Sequence, residues 1–87
     1  MAVWGADVDQ LKNLGTKLQM GASDIENTKN NLNKLLDGTQ WMGPDADHFR
    51  SDWSGNHMTS LTKVAEALKD AGQKATRNAE EQSTASR

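Results

Sequence analysis

The chain has no cysteine, no tyrosine and a single proline, and its aromatic residues are limited to Trp4, Trp41, Phe49 and Trp53. Without cysteine there is neither a disulfide staple nor a thiolate metal site, and the compartment stays open, since such a chain suits reducing and oxidising surroundings alike. Long apolar runs are missing too. The longest, Met1-Ala2-Val3-Trp4, falls far short of a membrane span. The basic start, apolar middle and small-residue cleavage site of a secretory signal are not visible, so export through a cleaved signal is not expected. Ten basic and twelve acidic residues are spread along the chain without a basic cluster, which argues against nucleic acid as a partner. Eighty-seven residues, of which 34% are hydrophobic, make one small domain that is lean in core material and has no room for a lobed active site. Oligomerisation is the support left to it.

What is present is a pair of helical stripes around one punctuation mark. Residues 1–6 read as a loose arm. Asp7 offers a side-chain cap, with Gln10 three residues on to complete a capping box. Leu11, Leu18, Ile25 and Leu32 then recur at intervals of seven, and Leu14 and Leu35 fall in a second column with Gly21 and Thr28. Gly15 and Gly21 lie on or beside this stripe. Each is either a tolerated weakness, at about 1 kcal/mol against alanine, or a gap that lets a neighbouring helix approach. Gly38 is the expected left-handed cap of the first helix. Residues 38–43 make the turn, and Pro44 starts the second helix with Asp45 and Asp47 in its first turn.

The second stripe is Phe49, Trp53, His57, Leu61, Val64, Leu68, Ala71, Ala75 and Ala79. It is bulky beside the turn and thins to alanine away from it. Residues 82–87 are small and polar and are expected to fray. Helices over about 7–37 and 44–81 would run ~45 and ~55 Å, so they can lie antiparallel as a hairpin within a single 1–87 unit. Two helices cover one side of each stripe. A second hairpin would cover the other, and the expected fold class is therefore all-α: a helix–turn–helix hairpin dimerising into a four-helix bundle. The candidate core of hairpin or dimer is Leu11, Leu14, Leu18, Ile25, Leu32, Leu35, Phe49, Trp53, Leu61, Val64 and Leu68.

Catalytic and metal chemistry find little footing. His48 and Asp52 share a helix face, but His57 lies far round the helix and no third strong ligand joins them, so no metal or cofactor is expected. Ser54, His57 and Asp52 hold the letters of a triad on a helix surface that supplies no oxyanion hole, and no enzymatic activity is expected. His57 is either a seam-edge residue with its tip in water or a pH-sensitive packing position. Trp41 is the surplus in the turn, because turn geometry requires no tryptophan there. It either plugs the end of the bundle with Phe49 and Trp53 or offers an aromatic anchor to a partner.

Trp41-Met42-Gly43 in the turn of such a hairpin, followed by Pro44 and by Phe49 and Trp53, resembles the WXG-100 family of small substrates and partners of type VII (ESX) secretion in actinobacteria and other Gram-positive bacteria. The resemblance spans both helices. It implies hairpins that pair head to tail as homodimers or heterodimers, and export as folded dimers without a cleaved signal peptide. It also implies a secretion machine driven by an FtsK/SpoIIIE-type ATPase. In that family the Trp-x-Gly turn, here Trp41 and Gly43, lies near the partner's tail, which often carries Tyr-x-x-x-Asp/Glu. This chain has no tyrosine. At that spacing it offers only Thr76 with Glu80 and Arg77 with Glu81, which shifts the expectation toward a partner that brings the motif. The expected function is thus a secreted protein or export partner. The alternatives are an intracellular adaptor or chaperone for a larger toxin, and a generic coiled-coil dimerisation module.

Overall fold

The computed structural model describes residues 6–85. The expected arm lies, apart from Ala6, outside them. Asp7 opens the first helix: its Oδ1 accepts the Gln10 backbone N–H at 3.0 Å, satisfying one of the free donors of the first turn. Helix α1 is Val8–Gly38, α2 is Pro44–Asp52, a π-helical turn follows over Trp53–His57, and α3 is Met58–Ala85. No strand occurs among the described residues. α1 packs along α3, with Gly15 beside Gly72 near one end and Asn33 beside Trp53 near the other, so the fold is an all-α antiparallel hairpin. It measures 64 × 18 × 14 Å, and its 19.3 Å radius of gyration far exceeds the ~12 Å of a compact domain of this length. A rod of this shape has little interior.

One of the two expected columns forms the seam and the other does not. Leu11, Leu18 and Ile25 are half-buried, with Leu32 at the margin. Between them the seam is filled by Gly15, Ala22, Lys29 and Leu36, one residue along from the expected Leu14, Gly21, Thr28 and Leu35. Leu14 and Leu35 are left 49% and 65% exposed. The reason is on the facing helix, where Ala65, Gly72 and Ala79 are buried at intervals of seven. Small residues on both sides let the backbones approach until a Cβ on Gly15 would lie 2.9 Å from the Gly72 carbonyl oxygen. A Cβ on Gly72 would lie 2.8 Å from that of Gly15. Gly15 is therefore a close-approach glycine, whereas a Cβ on Gly21 would meet only Leu68 Cδ1, at an ordinary 3.6 Å. The fully covered apolar side chains are alanines, and no large side chain is fully buried among the described residues.

Two polar cross-links hold the register. Lys29 occupies a seam position and its ammonium donates to Thr62 Oγ1 at 2.9 Å while pairing with Glu26 at 2.9 Å. Trp53 Nε1 donates to Asn33 Oδ1. A polar group at a single seam position is a known device for fixing the pairing of helices.

The second helix is not continuous. A π turn accommodates one extra residue and rotates everything after it by about 100° relative to an unbroken α-helix. The seam accordingly runs Ala46, Arg50, Trp53 and then Met58, Leu61, Ala65, with a step of five across the break. This corrects the stripe read at unbroken spacing. His57, Val64 and Ala71 leave the seam and are exposed, Phe49 is 43% exposed, and Ala65 and Gly72 enter.

The ends also differ from expectation. Gly38 is the last residue of α1 rather than a left-handed cap, since Gly43 has the positive φ among the described residues. The terminal carbonyls find other donors: Thr39 N–H reaches Leu36 O at 3.3 Å and Thr39 Oγ1 reaches Leu35 O at 2.6 Å. Residues 82–85, expected to fray, continue α3 to Ala85, where Gln82 and Ser83 remain half-buried in phase with the seam.

Gly15→Ala and Gly72→Ala should destabilise the hairpin by about 1–3 kcal/mol through overpacking, less the helix propensity regained, while Gly21→Ala should stabilise it by up to about 1 kcal/mol. Urea melts followed by circular dichroism read the opposite signs. Deleting exposed Gly55 from the π turn should leave both flanking seams in phase and keep the fold, whereas deleting Ser60 beyond it should abolish cooperative melting.

Candidate functional site

The connector from Thr39 to Gly43 is shaped by two opposing demands: it must reverse the chain, and it must satisfy the carbonyls at the end of α1. Gly43 does the first with φ 117° and ψ 177°, a conformation that L side chains rarely adopt. It caps α2 through its carbonyl, which accepts the Asp47 N–H at 3.0 Å, and Pro44 takes the first helical position as its missing N–H allows.

Arg50 does the second. Its Nη1 donates to the Trp41 carbonyl at 2.6 Å, and its Nη2 to those of Thr39 at 3.1 Å and Leu36 at 3.5 Å. The guanidinium carbon lies 5.9 Å from the centre of the Trp41 ring, within range of a cation–π contact. The ring in turn tilts at 52° against Phe49 with centroids 5.4 Å apart. Trp41 is thus gripped on backbone and ring while 39% of it stays open to solvent. Met42 beside it is 92% exposed. The two expectations for Trp41 divide the result: it pairs with Phe49, but Trp53 is engaged elsewhere, with Asn33 and with the His57 ring at 6.2 Å.

Sequence reasoning missed Arg50. A cation on the side of α2 that faces α1, four residues after buried Ala46, has no apolar reason to be there.

The candidate core residues are split between seam and surface. Pairings across the hairpin locate one face: Gly21 looks toward Leu68, and Leu32, Leu35 and Leu36 share a groove with Phe49 and Trp53. Leu14 lies seven residues before Gly21, and Val64 four before Leu68, which places both on the same side. Leu14, Leu32, Leu35, Phe49 and Val64 are all more than 40% exposed there. The opposite side is polar, with Gln19, Ser23, Glu26 and Asn27 across from Glu66 and Lys69. The hairpin is amphipathic as a whole body.

The other candidates stay apart. His48 Nε2 and Asp52 Oδ2 approach to 3.2 Å on the surface, with the His48 side chain 82% exposed. Ser54 Oγ donates to the Arg50 carbonyl at 2.9 Å, and His57 is exposed rather than packed in the seam. No group of three or more metal-ligating side chains forms among the described residues, and no described helix is long and apolar enough to cross a membrane. Searches for a matching family model, a similar curated protein and a similar solved structure found no match.

Arg50→Lys keeps the charge but cannot gather the same carbonyls. The turn should loosen, with a loss of about 1 kcal/mol and a shift of the Trp41 indole N–H resonance that leaves Trp53 in place.

Proposed function

We propose that this chain is a non-enzymatic helical-hairpin protein that pairs with a second hairpin and serves as a substrate or export partner of a type VII secretion system. In this reading it belongs with the WXG-100-like proteins its turn resembles. It leaves the cytoplasm without a cleaved signal peptide, and an FtsK/SpoIIIE-type ATPase drives the step. The partner is a second copy or another Trp-x-Gly protein.

The observation that carries the reading is the mounting of Trp41. A tryptophan needed only to close the turn would be sunk into the hairpin. Here an arginine and a phenylalanine fix it while its outer edge and Met42 face solvent at the tip. Rigid, partly open tryptophans are what partner surfaces use as anchors. Gly43, which alone among the described residues has a positive φ, accounts for the glycine of Trp-x-Gly by backbone geometry.

The exposed leucine face supports the pairing half of the reading. A surface of 64 by 18 Å offers on the order of 1,000 Å² per hairpin, above the ~800 Å² per partner typical of stable interfaces. Leu14, Leu32, Leu35, Phe49 and Val64, each more than 40% exposed on one side of the hairpin, are the expected sign of a covered surface. Covering it with a like band gives the four-helix bundle, in which the leucines gain the neighbours that the glycine-lined seam denies them.

Trp41→Ala should leave helix content and the hairpin intact, because the ring's contacts are confined to Phe49 and Arg50 at the tip, yet reduce secretion or partner capture at least about fivefold. Export is read by comparing culture supernatant and cell pellet. Unchanged secretion of the variant would remove Trp41 from the export signal.

A further inference from the structure

At the turn end of the exposed face, Leu32, Leu35, Leu36, Thr39, Phe49 and Trp53 line an apolar groove of about 200 Å³. Its walls are almost wholly carbon, unlike the polar clefts on the other side of the hairpin. An apolar cavity of ~150 Å³ takes up benzene, so a groove of this volume has room for one aromatic side chain. We propose that its occupant is the Val3-Trp4 segment of a second copy of this chain, laid head to tail against the first. The proposal rests on the pairing of hairpins argued above and names one contact within it.

The argument is one of composition and reach. Met1-Ala2-Val3-Trp4 is the longest apolar run in the sequence, and it ends in an aromatic residue. Trp4 is four residues from the start of α1, a span of at most ~14 Å. The groove on the same chain begins at Leu32, 24 residues further up the helix, or ~36 Å away. A chain cannot fill its own groove. Laid antiparallel, a second hairpin brings the start of its α1 to the turn end of the first, within that short reach. The twofold symmetry of such a pair fills both grooves at once. No charged side chain lines the groove, so an apolar segment enters without stranding a buried charge.

The cysteine-free sequence makes the test direct. Full-length chains carrying Val3→Cys are mixed with full-length chains carrying Leu35→Cys and oxidised, and the peptide joining positions 3 and 35 is quantified by mass spectrometry. Asn27→Cys on the polar side replaces Leu35→Cys as the control. Sedimentation of the wild-type chain is measured in parallel, together with Trp4→Ala and Trp4→Phe. The expected result is a dimer, a 3–35 link at least tenfold above the 3–27 control, and a dissociation constant raised roughly tenfold or more by Trp4→Ala but little by Trp4→Phe. A dimer that forms without the 3–35 link overturns the proposed contact and leaves pairing intact. A dimer whose affinity ignores Trp4→Ala overturns it equally. A wild-type chain that stays monomeric overturns the contact and self-pairing together, and leaves pairing only with a different hairpin.

Discussion

The contact between the backbones of Gly15 and Gly72 governs the rest of the molecule. Where two helices touch at a pair of glycines, the fully covered positions of the seam hold residues that keep the axes close, while Lys29 and Leu36 take seam positions further along toward the turn. Ala22, Ala65 and Ala79 are those covered residues. The bulky residues are displaced to the flank: Leu14, Leu35 and Val64 are held beside the seam rather than within it. A tight seam and an uncovered leucine face are thus two consequences of one steric fact. Burying alanine and glycine contributes little apolar area, so the hairpin alone lacks the ordinary source of stability of a small domain. The uncovered face is where the remaining stabilisation is available.

The second constraint is phase. The π turn over Trp53–His57 changes which residues share a side, and it lets two segments with different needs face the same helix. Up to its first residue, Arg50 gathers the turn carbonyls and Trp53 holds Asn33 of α1. After it, Ala65, Gly72 and Ala79 supply the close approach. Unbroken, one of these sets would point away. Arg50 depends on this arrangement, because only from the side of α2 that faces α1 can its guanidinium gather the carbonyls of Leu36, Thr39 and Trp41. The mounting of Trp41 at the tip is in that sense a product of the helix break several residues away.

Much of the fold was legible in the residues themselves. The Asp7 cap, the long first helix, Pro44 as a helix start and the all-α hairpin follow from local chemistry, which acts over three or four residues and so is written in order along the chain. Gly38 misled because a glycine at a helix end is compatible with a left-handed cap but does not compel one. Thr39 and Arg50 supplied the donors instead. The polar tail misled because helix continuation there is decided by packing at Ala79, Gln82 and Ser83 rather than by propensity. Of the candidate site, Trp41 and Gly43 stood out by type and position, while Arg50 did not, since a lone arginine on a charged helix carries no local mark.

The sequence by itself determined the two helical arms, the place of the turn between them and apolar stripes that two helices cover on one side only. Those are matters of period, capping and composition, readable one residue type at a time. Only the tertiary structure decided which column became the seam and which became the surface. That choice depends on what the opposite helix presents at the same height, and periodicity along one helix carries no information about its neighbour. Leu14 and Gly15 are adjacent in the chain. The position of Gly72 across the hairpin made one of them the point of contact and left the other facing outward.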